Sequence, residues 1–216
     1  MSENNNSSNE EFFQRQQEIY KSAYVTIFLV IINVLLFGLS TTIIPGLYSG
    51  WVMYTESVLG NGEFYRIFTA TFLHADINHL FNNMLILLAV GAVIEHYMGH
   101  LLYFIMYILA GICGNLLSMA YEVRGDVVRV SLGASGCVMG IVGFMVVWIV
   151  INRKLLIKDK SMLFRLLLLL FFVIEACFFQ SGANTQAHLG GFLTGFVFGV
   201  INIIVFKNRK NMEGIA

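Results

Sequence analysis

Charge is what this chain has least of: Asp, Glu, Lys and Arg make up 12% of its 216 residues, about half the share of a soluble domain. Proline occurs once and cysteine three times. Cys113, Cys137 and Cys177 all fall in apolar stretches at no metal-ligand spacing, so they are expected to be buried structural thiols. Met1–Tyr20 is polar and has no basic start followed by an apolar run, so no signal peptide is expected there, only a disordered or loosely surface-bound tail. Solenoid repeats and low-complexity segments are absent. No nucleic-acid signature is present either, because the basic residues lie at the ends of apolar stretches.

What the chain has instead is apolar sequence in blocks. A hydrocarbon core about 30 Å thick requires about 20 mostly apolar residues per helix. Six stretches qualify, roughly 23–44, 79–97, 101–121, 135–151, 162–179 and 187–206. They consume nearly the whole chain and leave no room for a soluble domain. The expected fold is an all-α membrane protein, a bundle of six transmembrane helices, with a polar tail over 1–21, the helical domain over 22–206 and a basic tail over 207–216.

Six spans put both termini on one side. That side receives Arg15, Lys21, Arg153, Lys154, Lys158, Lys160, Arg165, Lys207, Arg209 and Lys210, against Arg66, Arg124 and Arg129 on the other. The ten-to-three split puts both termini on the inner, cytoplasmic side; the small size and the lack of extra domains or targeting segments fit a cell-membrane protein by analogy. A zero net charge hides this asymmetry. The longest connection, roughly 45–78, opens with Pro45-Gly46 and carries Trp51, Tyr54, Phe64, Tyr65, Phe68 and Phe72. Aromatics at that density suit the headgroup region, so this loop is expected in or on the outer leaflet.

Polar residues inside spans are costly unless paired or facing water, which makes each a functional candidate. The second span opens His74-Ala75-Asp76-Ile77-Asn78-His79-Leu80-Phe81-Asn82-Asn83, the fourth Ser131-Leu132-Gly133-Ala134-Ser135-Gly136, the sixth Gln186-Ala187-His188-Leu189-Gly190-Gly191. All three spans enter from the same side, so their first turns share one depth. A serine, a histidine and a His/Asn group thereby converge, the arrangement covalent acyl transfer requires.

Ser135 is the natural nucleophile, flanked by Gly133 and Gly136 and sitting where a helix would present unpartnered amides and its positive dipole end. By itself Gly-Ala-Ser-Gly is better explained as a small-residue helix contact. His188 changes that balance. Gly191, Gly195 and Gly199 recur every four residues on its helix, and Gly136 and Gly140 do so on the fourth. Two such faces can approach closely and set His188 beside Ser135 as general base. His79 and Asn83, four apart on one face, can donate to an oxyanion or merely pack. Asp126, Glu95 and Glu175 are not placed to complete a triad, so a Ser-His dyad is the simpler arrangement.

The chain resembles the rhomboid intramembrane serine proteases over about residues 22–206. The likeness rests on Glu63-x-x-Arg66-x-x-Thr69 with Phe72 and His74, the His79–Asn83 pair, and Gly91-x-x-x-Glu95-x-x-x-Gly99. It continues through Gly111-Ile112-Cys113-Gly114-Asn115 and Gly133-Ala134-Ser135-Gly136 to Ala187-His188-x-x-Gly191-x-x-x-Gly195. The resemblance implies Ser135 as nucleophile, His188 as base, and the Ser135 N–H with His79 and Asn83 as oxyanion donors. It implies that His74 retains water and that Arg66 braces the first outer loop. It also implies membrane-anchored protein substrates cut in or near a transmembrane helix, the lipid bilayer as surroundings, no nucleic-acid partner, and no metal or organic cofactor. Oligomeric state is left open. Two positions depart from the family pattern: Tyr65-Arg66 stands where Trp-Arg is frequent, and Met139 where an aromatic often supports the histidine ring. An inactive rhomboid-like binding protein would usually lack the Ser or the His. A transporter would carry its polar groups across the membrane and not gather them at one depth.

Overall fold

A computed structural model describes residues 16–125, 127–154 and 183–206, together with Gln14 and the isolated positions Phe164, Leu167, Leu170 and Phe171. Four helical rods in it are long and apolar enough to cross a membrane: Tyr24–Ile43, Ile77–Met98, His100–Gly125 and Thr185–Val205. A fifth apolar helix, Ser135–Ile151, has 17 residues. The stretch expected at 162–179 falls outside the described residues except for those isolated positions, and Asp126, Cys177 and Glu175 lie outside as well.

Within the rods, α1 spans Tyr24–Gly38 and ends in a widened π turn, Leu39–Ile43. The connection expected as an interfacial loop is largely helical. It comprises α2 (Pro45–Trp51), α3 (Thr55–Asn61) and the single turn α4 (Arg66–Thr69). Then α5 (Ile77–Ile86) runs through a π turn into α6 (Ala92–Met98), and Gly99 at φ 85° breaks the chain before α7 (His100–Gly125). Ser135–Ile151 is α8, and Thr185–Gly199 is α9, extended by the π turn Val200–Val205.

The bundle is not wholly α-helical. β1 (Met53–Tyr54) pairs antiparallel with β2 (Val130–Ser131), Met53 opposite Ser131 and Tyr54 opposite Val130. Two residues on each side give no sequence periodicity to detect. Their pairing ties the α1–α5 connection to the segment just ahead of α8.

Helix starts follow capping chemistry. Asp76, in extended conformation, accepts from the His79 main-chain N–H (2.9 Å) and so begins α5 two residues before the sequence suggested. Asn184 does the same for α9 through the Ala187 N–H (3.1 Å). α1 lacks a local side-chain cap. The buried Glu95 of α6 supplies one from afar, accepting from the Val25 N–H at 2.9 Å and the Thr26 N–H at 2.7 Å. The tail expected to be loose is ordered just ahead of α1: residues 16–22 are helical, Ile19 packs into the core, and the Ser22 hydroxyl lies 3.2 Å from His96 Nδ1. Ile19 and the Ser22–His96 contact together dock this mostly polar turn.

α7, α8 and α9 form the centre. A Cβ on Gly191 would strike the Gly136 carbonyl and one on Gly195 the Gly140 carbonyl, so the two glycine faces bring α8 and α9 backbone to backbone. Gly114 and Gly190 do likewise between α7 and α9. Such closeness gains dispersion contacts that bulkier residues would forbid. The core is filled by Tyr103, Tyr107, Ile141, Phe144, Met145 and Trp148, all fully buried.

Candidate active site

At one end of these helices lies a cavity of about 220 Å³ whose lining includes Ser135, His188, His79 and Asn83. Ser135 is the first residue of α8, which begins without a side-chain cap. The first bond of that turn runs from the Val138 N–H to the Ala134 carbonyl (2.9 Å), so the amides before it open toward the cavity end. Gly133 makes the approach possible. Its φ of 111° is a conformation side chains avoid. A Cβ there would come within 2.6 Å of the His79 ring. The Gly133 N–H donates to the Ala70 carbonyl (2.9 Å), fixing the turn to the end of the α1–α5 connection.

His188 stands in the first turn of α9, 3% exposed. Its Nε2 is 2.8 Å from Ser135 Oγ, a normal hydrogen bond across two helices. The glycine contacts below this pair set the distance. A base within 3.2 Å of a hydroxyl, at a helix N-terminus beside a cavity, can take the hydroxyl proton as oxygen attacks a carbonyl.

His79 and Asn83 share a face of α5 and both line the cavity. Asn83 Nδ2 donates one hydrogen to the His79 carbonyl at 3.0 Å, which orients the amide and leaves its second hydrogen for another acceptor. The His79 ring lies against Gly133, on the nucleophile's side. Asn82, next to Asn83 in sequence, lines the same cavity.

His74 is fully buried in the turn before α5, its ring edge-on to His79 with centroids 5.1 Å apart. Neither ring nitrogen has a well-formed hydrogen bond to protein. Burial first, then the neighbouring His79, push its pKa down to about 3; the Phe72 carbonyl and Asp76 oppose the shift and lose. A neutral imidazole with spare polar atoms in a closed site can hold ordered water.

Arg66 does not line the cavity. Its guanidinium donates to the carbonyls of Ser49 (2.9 Å) and Val52 (2.7 Å) and pairs with Glu63, gathering α2 and α4. Thr69 Oγ1 adds a bond to the Trp51 carbonyl (3.0 Å), and Asn115 Nδ2 ties the Ile67 carbonyl to α7 (2.9 Å). Met139, four residues after Ser135, is 2% exposed within α8. Cys137 is buried and Cys113 half-buried, both as free thiols.

One cluster, which reaches the cavity lining through Ser131 and Asn184, was assigned no role from the sequence: Thr55, Ser118, Glu122, Ser131 and Asn184 are joined by hydrogen bonds. The expected third span stopped at 121, which left Glu122 in a loop. α7 continues to Gly125 with Glu122 3% exposed, because Thr55 (2.7 Å) and Ser118 (3.0 Å) donate to its carboxylate. A carboxylate four residues after a serine, and an asparagine just ahead of a glycine-spaced apolar run, were the signals available.

The rhomboid domain family model matches residues 61–204. Among curated proteins, RHOMBOID-like protein 1 of Arabidopsis thaliana is 32% identical over 167 residues, covering 74% of this chain and 41% of that protein. YdcA, a rhomboid protein of Bacillus subtilis, is 31% identical over 157 residues, 69% of this chain and 76% of its own length. Rhomboid protease GluP of the same organism is 29% identical over 141 residues, 65% of this chain and 26% of its own. This chain thus spans less than half the length of the Arabidopsis relative and about a quarter of GluP.

Proposed function

This chain belongs to the rhomboid family, and from that premise we propose that it is an intramembrane serine endopeptidase acting through a Ser135–His188 dyad. The observation that carries the reading is the 2.8 Å contact between His188 Nε2 and Ser135 Oγ in a cavity at a helix N-terminus. His188 takes the hydroxyl proton as Oγ adds to the scissile carbonyl of a membrane-anchored substrate. The oxyanion is met by the Ser135 N–H, the His79 ring and the second Asn83 hydrogen. Collapse returns the proton from His188 to the leaving amine and leaves an ester on Ser135. Water, deprotonated by the same imidazole, then releases the acid. In this scheme His74 retains that water, Arg66 braces the α1–α5 connection, and Met139 supports the His188 ring.

Six spans over 22–206 with short flanking tails complete the architecture of the proposal. The chain is a membrane protein of its family. The proposal places it in the cell membrane, and the ten-to-three charge split supports cytoplasmic termini. The test is cleavage of a single-pass model substrate by purified protein. Ser135→Ala and His188→Ala should each lower turnover at least 10⁴-fold, with the double variant no worse, since neither member works without the other. Substantial turnover by Ser135→Ala rejects the serine mechanism. Fluorophosphonate labelling should be confined to Ser135.

A further inference from the structure

Ser131 precedes Ser135 by four residues, and Asn184 precedes His188 by four. The two earlier residues touch: Asn184 Nδ2 is 2.6 Å from Ser131 Oγ and 2.7 Å from Ser118 Oγ. Asn184 Oδ1 is committed to the Ala187 N–H at 3.1 Å, which fixes the amide's orientation and leaves its two N–H bonds for the two serines. The remaining protons then have one consistent direction. Ser131 donates to Ser118 (3.2 Å), Ser118 to one oxygen of Glu122 (3.0 Å), and Thr55 to the other (2.7 Å). Glu122 accepts at both oxygens and ends the chain. Every group in it is accounted for, so it has one arrangement and not several.

We propose that Asn184 is the positioning residue that aligns the helix of the base with the strand ahead of the nucleophile, its amide bridging the α9 cap to Ser131 and Ser118. Two rigid pieces must agree to a few tenths of an ångström for proton transfer at Ser135. The glycine contacts set how closely α9 approaches α7 and α8, Gly114 against the Ala187 carbonyl included, but van der Waals packing has no direction that orients the turn ahead of His188. The Asn184 side-chain amide supplies that direction through its bonds to Ser131 and Ser118, and the main-chain bond from the His188 N–H to the Asn184 carbonyl (3.0 Å) links the oriented residue to the base. Ser131 is meanwhile held from its other side by the ladder to Met53. This inference rests on the dyad reading and extends it to a residue that does not touch the reacting atoms.

The experiment compares Asn184→Ser and Asn184→Ala with wild type and with Ser135→Ala as the inactive control. Turnover is expressed per fluorophosphonate-titrated site, beside KM and Tm. Serine can still cap α9 but is too short to reach both hydroxyls. Asn184→Ser is expected to keep Tm within a few degrees and KM within twofold while kcat per active site falls about tenfold or more. Asn184→Ala should lose the same rate and some Tm. Asn184→Asp keeps the cap but cannot donate, and it would draw the single Ser118 proton away from Glu122, so it is expected to restore none of the rate. Full turnover per active site in Asn184→Ser, or a loss in Asn184→Ala confined to Tm and the active fraction, overturns the proposal. Wild type that neither cuts nor labels overturns the dyad reading instead.

Discussion

Among the described residues Glu95 and Glu122 are both buried carboxylates, one at each end of the bundle, and they are satisfied by different partners. Glu95 lies about 24 Å along its rod from His79 at 1.5 Å per residue. It accepts from two main-chain amides of α1 and from His100 Nδ1 at 2.6 Å, while Thr26 hydroxyl bonds to Tyr103 beside it (3.2 Å). Those bonds join helix to helix through the backbone. Glu122 accepts only from hydroxyls, and its chain leads through Ser118 to the side chain that caps α9. A carboxylate on backbone amides stitches a scaffold. The same group at the end of a side-chain chain sets the orientation of one helix start, next to a cavity where Asn83 keeps a donor hydrogen in reserve. Burial of charge therefore does not separate site from scaffold; what lies at the other end of the hydrogen bonds does.

The contrast makes the two ends respond differently to substitution. The largest effect should come from the cavity end. Asn83→Ala and His79→Ala should each raise the barrier by about 3 kcal/mol, seen as a fall in kcat with KM little changed, because their bonds strengthen only in the transition state. Wild-type turnover in both variants would reassign the pair to packing. At the opposite end Glu95→Ala should leave two helix amides without an acceptor and cost about 2–3 kcal/mol of stability. Turnover per titrated site should stay within a few-fold of wild type. A Glu95→Ala protein that is fully stable, or that is stable and inactive, would erase the distinction between the ends.

The smallest effect is the pH response of His74. Its folded pKa of about 3 lies below the 6.5 of an unfolded histidine, so the unfolded chain binds the extra proton between those values. Its neutral, buried state costs no stability above pH 6.5, and stability declines as pH falls from 6.5 toward 3. Between pH 7 and pH 5.5 the loss should be about 1 kcal/mol. Denaturation midpoints measured across that range should show the decline, and His74→Leu should flatten it. An unchanged slope in His74→Leu would show that the ring is not held neutral in the folded state.

How far the sequence could be read followed the range of the interactions. Spans appear in it because apolar length is a local property, and four of the described rods lie within a few residues of the expected limits. The approach of Ser135 and His188 was legible through glycines at four-residue spacing on both helices, since small residues dictate where helices can touch. The helical α1–α5 connection was not legible. α2 and α4 are drawn together by Arg66 donating to the carbonyls of Ser49 and Val52, which no periodicity records. The ordered turn at Ile19 and the two-residue β ladder escaped for the same reason.

The sequence by itself determined that this chain lives in a membrane, where the described apolar helices fall, and which serine and histidine face each other, because hydrophobic length and small-residue spacing act along a single helix. Tertiary structure alone decided that Gly133 adopts a positive φ against the His79 ring, that Glu122 can be buried within α7, and that Asn184 joins the two segments ahead of Ser135 and His188. Each of those depends on hydrogen-bonding partners dozens of residues apart. Only the folded bundle brings them within 3 Å, and only there does an unpaired donor or acceptor cost enough to select one arrangement.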